Sequence, residues 1–333
     1  MRAVVVDEPG SWQVATVPDP APGTAQIVVA VGACGVCGTD LHIFDGEFPP
    51  TPYPITPGHE FAGTVSAVGA GGSGIAEGTL VAVDPSLFCG TCAYCRAGRG
   101  NLCASWNAIG DTVSGAFAEY VVVPTANAYP LPAGFDLRRA AMIEPVSCAV
   151  HGVKQLDRLL GARALVIGAG TMGLLLAQLI HRAGATEVAV VDRNTARLGL
   201  VESLGLGPAA ADVADLPAAE FDVAVDATGV PAAIESAFGA LRRGGTLLVF
   251  GVADTAATVT LSPFRIYNDE IRIVGSMAVL DSFGPAVELV TSGTIDVGSL
   301  LADPFGLDGY GDALDAVRSG TGTGPKVQVV ISR

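Results

Sequence analysis

Short apolar runs separated by turn residues fill the first part of the chain, at Val4–Val6, Ile27–Val31, Phe61–Val68, Leu80–Val83 and Ala118–Val123. Valine-rich runs bounded by glycine, proline and aspartate read as strands, so residues 1–148 are expected to form a β-rich lobe. From residue 149 the rhythm changes. Apolar strands at Ala164–Ile167, Glu187–Val191, Val223–Val225, Thr246–Phe250 and Ile271–Val274 alternate with helix-like runs at Gly173–Arg182, Thr195–Leu204 and Ala232–Leu241. That alternation implies a parallel sheet covered by helices. Residues 149–284 are therefore predicted as a doubly wound α/β domain. The remaining segment, 285–333, holds an amphipathic stretch, a helix over Tyr310–Val317 and a last strand over Lys326–Ile331. That strand has no place in a doubly wound sheet, so the segment is expected to return and complete the first lobe.

Composition narrows the function classes. Half of the 333 residues are hydrophobic and only 15% are charged, enough apolar material for a sizeable core and too little charge for disorder. The net charge of -15 argues against nucleic acid or an anionic membrane as partner. The most membrane-like stretch, Ala164–Ile180, is divided by Gly168, Gly170 and Gly173 into strand, turn and helix. The N-terminus starts as a strand, without the basic and apolar regions of a secretion signal. A cytoplasmic setting is expected, where clustered cysteines serve as metal ligands more often than as disulfides.

Gly168-Ala-Gly170-Thr171-Met172-Gly173 follows a predicted strand and opens a predicted helix. In that context GxGxxG is the Rossmann dinucleotide fingerprint: a tight turn, backbone close to pyrophosphate, and close helix–strand packing. Asp192 ends the next strand, where a carboxylate binds ribose hydroxyls and repels a 2′-phosphate. Arg193 and Arg197 could hold such a phosphate, so NAD is expected and NADP is the alternative. Thr228-Gly229 and Val252 end later strands, where a cofactor could lie along the sheet's carboxyl edge.

Two groups of metal-ligating residues stand in the first lobe. Cys89, Cys92, Cys95 and Cys103, spaced C-x2-C-x2-C-x7-C, offer four thiolates and suit a closed structural zinc site. Cys37, His59 and Glu60 mix thiolate, imidazole and carboxylate, the donor types of catalytic zinc sites. Glu144, before Pro145 at the end of an apolar run, is a further candidate ligand or partner of a zinc-bound water. A redox pair Cys34/Cys37 is the competing reading of the C-x-x-C spacing, but no thioredoxin-like pattern surrounds it.

With Gly58-His59-Glu60, the four-cysteine spacing and GxGxxG in this order, the chain resembles the zinc-dependent medium-chain dehydrogenases/reductases over nearly its whole length. That superfamily includes zinc alcohol, sorbitol and threonine dehydrogenases. The resemblance implies a GroES-like catalytic lobe joined to the Rossmann domain, catalytic and structural zinc ions, NAD, and a homotetramer or dimer. It implies Cys37 and His59 as zinc ligands, Glu60 as an exchangeable or outer ligand, and Asp40 as the carboxylate that orients His59. Glu144 matches the polyol and threonine branch. Zinc would lower the pKa of a bound alcohol. Thr39 would take the proton and pass it through a ribose hydroxyl to His42, and a hydride would go to nicotinamide. Lys326 would lie near the pyrophosphate.

The implied activity is oxidation of a secondary alcohol, such as a polyol, sugar or cyclitol derivative, or reduction of the corresponding ketone. The alternatives are a threonine-type or simple secondary-alcohol dehydrogenase, and a non-catalytic zinc- and nucleotide-binding redox sensor. A sensor needs no proton relay, so Thr39 and His42 favour the enzyme. Sorbitol dehydrogenases place an arginine after the strand ending near Gly275-Ser276; this chain has Met277-Ala278 there.

Overall fold

The computed structural model describes the whole chain except residues 49–50, 73, 217–219 and 332–333. The chain divides into two units, Met1–Ser147 with Val279–Arg333, and Cys148–Ala278.

In the second unit the apolar runs become parallel strands in the order Ala209–Ala210, Glu187–Val191, Arg163–Ile167, Phe221–Asp226, Leu241–Val249, Arg272–Gly275. Ala164, Leu165 and Val166 of the central strand are wholly buried. This is why these strands read as continuous apolar runs without alternation. The order grows outward on both sides of Arg163–Ile167, so the switch point of the sheet lies at that strand's carboxyl end.

Most element ends shift by one or two residues, and two elements differ further from the expected ones. The helix expected over Ala232–Leu241 runs over Pro231–Gly239, and Leu241 already belongs to the next strand. There Leu241 pairs with Phe221 and Thr246 with Val223, so Arg242–Gly245 form a bulge that hid the strand's start. The run Thr195–Leu204 splits into a 3-10 turn at Thr195–Arg197 and a helix at Leu198–Ser203. The Asn194 side chain caps the turn by accepting the Ala196 N–H.

The first unit is built on an antiparallel sheet in the order Gln328–Val330, Gln26–Gly35, Glu60–Val68, Leu80–Val83, Ala128–Pro130. The long strand Gln26–Gly35 serves two partners on one side. Residues Gln26 to Ala30 pair with Tyr120–Pro124, and Ala33 to Gly35 pair with the last strand of the chain. The terminal segment also supplies helix Tyr310–Ser319, whose Tyr310, Ala313 and Leu314 are buried on one face. The Tyr310 ring lies 5.0 Å from that of Phe117 and 5.2 Å from that of Trp12.

Ser11–Thr16, which no apolar run marked, forms a hairpin with Arg2–Glu8. It is half exposed, and only Trp12 and Val14 turn toward the core. Among the described residues no helix is long and apolar enough to cross a membrane. Ala164–Ile180 instead falls on a strand, a turn and helix Thr171–Arg182.

Candidate functional site

Cys37 is the N-cap of helix Gly38–Asp45, and the cap sets the geometry of its thiol. Its Sγ accepts the Asp40 N–H, while Asp40 Oδ2 accepts the Cys37 N–H at 2.8 Å. His59 and Glu60 enter where strand Glu60–Val68 begins, and Glu60 pairs with Gly35, two residues before Cys37. The hydrogen-bonded strands thus carry the two ends of the donor set to one place. Donor atoms of Cys37, His59 and Glu60 all lie within 4.8 Å of one another, with His59 and Glu60 buried.

A thiolate, an imidazole and a carboxylate so gathered fit zinc with a position left for substrate. Burial pushes the Asp40 carboxyl up to about 7, against the opposing pull of His59 and the Cys37 N–H. The thiol of Cys34 is buried and likewise pushed well up by burial; it donates to its neighbour's carbonyl, Gly35 O, at 3.6 Å. Cys34 stands outside the donor group.

Three expectations shift at this site. The carboxylate in ion-pair contact with the His59 ring is Asp111, its Oδ1 3.1 Å from His59 Nδ1, while Asp40 caps Cys37 through Oδ2 and acts on His59 through its charge. Lys326 does not stand free for a pyrophosphate. It is buried and ion-paired with Glu60 Oε2, and the pair raises the lysine pKa against its burial. Glu144 is buried near the start of helix Ile143–Val153 but is not among the gathered donors; its charge acts on Lys326.

Thr39 and His42 lie one turn apart on helix Gly38–Asp45. The Thr39 hydroxyl is 3.8 Å from Cys37 Sγ. His42 is at the surface, its Nδ1 2.9 Å from Glu47 Oε2. Asp111, Lys326 and Glu47 as partners were missed because each comes from a different part of the chain, or lies in a loop with no motif.

The four cysteines form a separate lobe between the short paired strands Ser86–Leu87 and Asn107–Ala108. Cys89 Sγ accepts N–H groups of Thr91 and Cys92, Cys92 Sγ that of Cys95, and Cys103 Sγ those of Cys89 and Ser105. The Thr91 N–H and hydroxyl and the Cys92 N–H, all bonded to its sulfur, hold the Cys89 thiol down to about 6. The Sγ atoms of Cys89 and Cys95 are 3.9 Å apart, those of Cys92 and Cys103 4.0 Å. A zinc–sulfur tetrahedron has edges of roughly 3.8 Å, so the lobe fits the metal with no further position open.

In the second unit Gly168–Gly173 turns from strand Arg163–Ile167 into helix Thr171–Arg182, with Gly170 as N-cap. A Cβ on Gly173 would come within 1.8 Å of Gly168 O, so the close packing of turn and helix requires glycine. A Cβ on Gly170 would meet nothing, so its bareness serves no protein neighbour and suits an approaching pyrophosphate. Thr171 and Met172 follow in the first helical turn, whose free N–H groups and dipole favour phosphate.

Beside the turn lies a cavity of about 370 Å³ lined by Gly168, Asp192, Arg193, Arg197, Asp212 and Thr228, among others. Asp192 accepts the Ala169 N–H at 2.7 Å and the Asn194 N–H at 2.8 Å, and Arg197 stands 3.7 Å away. The buried Asp226 carboxylate holds Thr228 and Gly229 at the edge by accepting both N–H groups and the Thr228 hydroxyl. Val252 is 84% exposed on a neighbouring loop.

Comparison with known proteins follows this division. Residues 23–133 match the alcohol dehydrogenase GroES-like domain and residues 171–292 the zinc-binding dehydrogenase domain. D-arabinitol dehydrogenase 1 of Uromyces fabae is 36% identical over 331 residues, spanning 96% of this chain and 94% of that one. D-altritol 5-dehydrogenase of Agrobacterium fabrum is 34% identical over 323 residues, 92% and 95% of the two chains. A Sinorhizobium meliloti protein solved with NADP bound superposes with a TM-score of 0.94 at 34% identity, over 99% and 98% of the chains.

Proposed function

The chain belongs to the zinc-binding dehydrogenases with a GroES-like domain, NAD(P)-dependent oxidoreductases of secondary alcohols, and from that premise we propose that its substrate is a polyol or a related sugar alcohol. The observation that carries the reading is the gathering of Cys37, His59 and Glu60 beside Thr39. The action of two relatives on pentitol and hexitol chains sets the substrate class.

Cys37, His59 and Glu60 would hold the catalytic zinc, and Cys89, Cys92, Cys95 and Cys103 the structural one. Bound zinc supplies Lewis acidity toward an alcohol oxygen, and bound nicotinamide accepts a hydride. The protein's own part is proton handling and charge. Thr39, half buried beside Cys37, holds the hydroxyl proton of the alcohol. His42, one helical turn on and paired with Glu47 at the surface, passes a proton to solvent. Lys326 cancels the Glu60 charge in a buried site, which spares the desolvation cost of a lone carboxylate.

Gly168, Gly170, Thr171, Met172 and Gly173 would take the pyrophosphate, Asp192 the adenosine ribose, and Thr228, Gly229 and Val252 the remainder. NAD is preferred, because Asp192 is pinned at the ribose position by two N–H groups and Arg197 is drawn toward it. Replacing Asp192 by Ala removes a charged acceptor worth about 1.5–3 kcal/mol. The expected result is a Kd for NADH raised roughly 10–100-fold.

A homo-oligomer, dimer or tetramer, in the cytoplasm completes the proposal. The sheet's outer strand Arg272–Gly275 leaves Ile273 41% exposed, an open edge of the kind proteins cover. Light scattering in solution tests the assembly. The test of function is NAD(P)H formation over pentitols, hexitols, inositols, threonine and 2-alkanols with each cofactor. Turnover of polyols with NAD is expected; turnover confined to threonine or to alkanols overturns the substrate class.

A further inference from the structure

The His59 ring lies between two side chains, Cys37 of the donor group and Asp111. Nδ1 faces Asp111 Oδ1 at an ion-pair distance of 3.1 Å; both side chains are about nine-tenths buried, and no other described residue offers either atom a hydrogen bond. Asp111 is therefore a buried carboxylate whose polar contact is a proposed metal ligand. We infer that Asp111 is a positioning residue: it accepts the Nδ1 proton of His59 and so commits Nε2 to the metal.

The loop that carries Asp111 is shaped for this. Gly110 lies against the backbone of Gly58 and His59, where a Cβ would come within 2.4 Å of the Gly58 carbonyl and 2.7 Å of His59 N. Gly115 closes the same contact from the other side, its would-be Cβ 2.4 Å from Gly58 O. Three backbone hydrogen bonds lace the segments together: Gly115 N–H to Thr56 O, Ala116 N–H to Gly58 O and Phe117 N–H to Pro57 O, at 2.7 to 3.0 Å. Any larger residue at Gly110 would push the loop off His59 and carry Asp111 with it.

The turn itself is closed by the Gly110 N–H on Val113 O and by the Thr112 hydroxyl accepting the Ala108 N–H. Asp111 is thus held on two sides, by strand Asn107–Ala108 before it and by the Gly58 contact beneath it. Asp40 is placed differently: its Oδ2 accepts the Cys37 N–H, and its charge acts on His59 without an ion-pair contact to the ring among the described residues. A carboxylate on the far nitrogen of a ligating histidine fixes its ring and tautomer, and losing it typically costs 10–100-fold in metal affinity or activity.

The inference rests on the zinc reading above, and its test separates the two. Wild-type protein is expected to hold two zinc ions per chain; a single ion would end the zinc reading and this inference together. With two present, Asp111→Asn is expected to release one of them to a chelator about 10–100-fold faster, with the other unchanged. Cobalt substituted at that site should show altered d–d absorption. Release and spectrum both equal to wild type overturn the role of Asp111 and leave the zinc reading standing. Should Asp111→Asn fail to fold, nitrogen-15 NMR of the imidazoles in the wild-type zinc form decides. A His59 signal protonated at Nδ1 supports the inference, and one metallated at Nδ1 overturns it.

Discussion

The four-cysteine lobe and the Cys37–His59–Glu60 group are both fitted to zinc, yet they are built in opposite ways. In the lobe, all donors are alike and fall within one short segment, and neighbouring backbone N–H groups satisfy the sulfurs. Cys89 is exposed, and the bonds that lower its thiol pKa all come from within the segment. In the mixed group the donors come from a helix cap and a strand start and are met from afar: Lys326 offsets the Glu60 charge and Asp111 faces the His59 ring. A closed set of identical donors needs only local chain. An open, mixed set in a buried site needs the tertiary fold to pair each charge.

Separating the two sites by mutation should give the largest effect. His59→Ala is expected to lower kcat by at least about 10³-fold, the scale of losing a main source of charge stabilisation, while one zinc per chain remains by atomic absorption. Loss of both ions would mean that the sites are not independent. The next largest effect concerns charge balance. In zinc-stripped protein Lys326→Met leaves Glu60 buried without its cation, expected to cost about 3–5 kcal/mol in urea unfolding. Adding Glu60→Gln should recover most of it.

The sign with pH follows from the lysine. Its folded pKa is raised, so the lysine's contribution is present throughout neutral pH and is lost as pH rises through the upper lysine range.

A smaller effect probes the connection between the sites. The lobe closes on Asn107–Ala108, and Asp111 follows directly. Cys103→Ser is expected to release the lobe's zinc and lower the melting temperature by several degrees, at roughly 2–4 °C per kcal/mol. It should also quicken release of the second ion by loosening Asp111; unaltered release of that ion would show that the lobe stands apart. The mildest test is alkylation of stripped protein followed by mass spectrometry. Cys89, held down to about 6, should react first and half-maximally near that pH. Cys95, pushed up to about 12 by burial and by its thiol neighbours, should react last.

Much of the architecture was legible because both units write their periodicity into the chain. Buried parallel strands read as apolar runs at Ala164–Ile167 and Glu187–Val191, and glycines mark the turn at Gly168. What was illegible shares a cause. Ser11–Thr16 is half exposed and buries none of its residues fully, and the strand at Leu241 begins in a bulge. Glu144 was a candidate from its apolar run and Lys326 from resemblance, and the tertiary contacts placed Lys326 on Glu60 and Glu144 outside the donor group.

The linear chain by itself determined the donor types, the thiolate cluster and the dinucleotide turn, since each depends on residues a few positions apart whose backbone geometry is local. Only the tertiary structure decided which distant charge answers which donor. Asp111 meets His59 because Gly110 and Gly115 let two backbones touch. Lys326 meets Glu60 because the last strand pairs beside Gly35. A buried charge must find its partner within a few ångströms, and across hundreds of residues only the fold sets that distance.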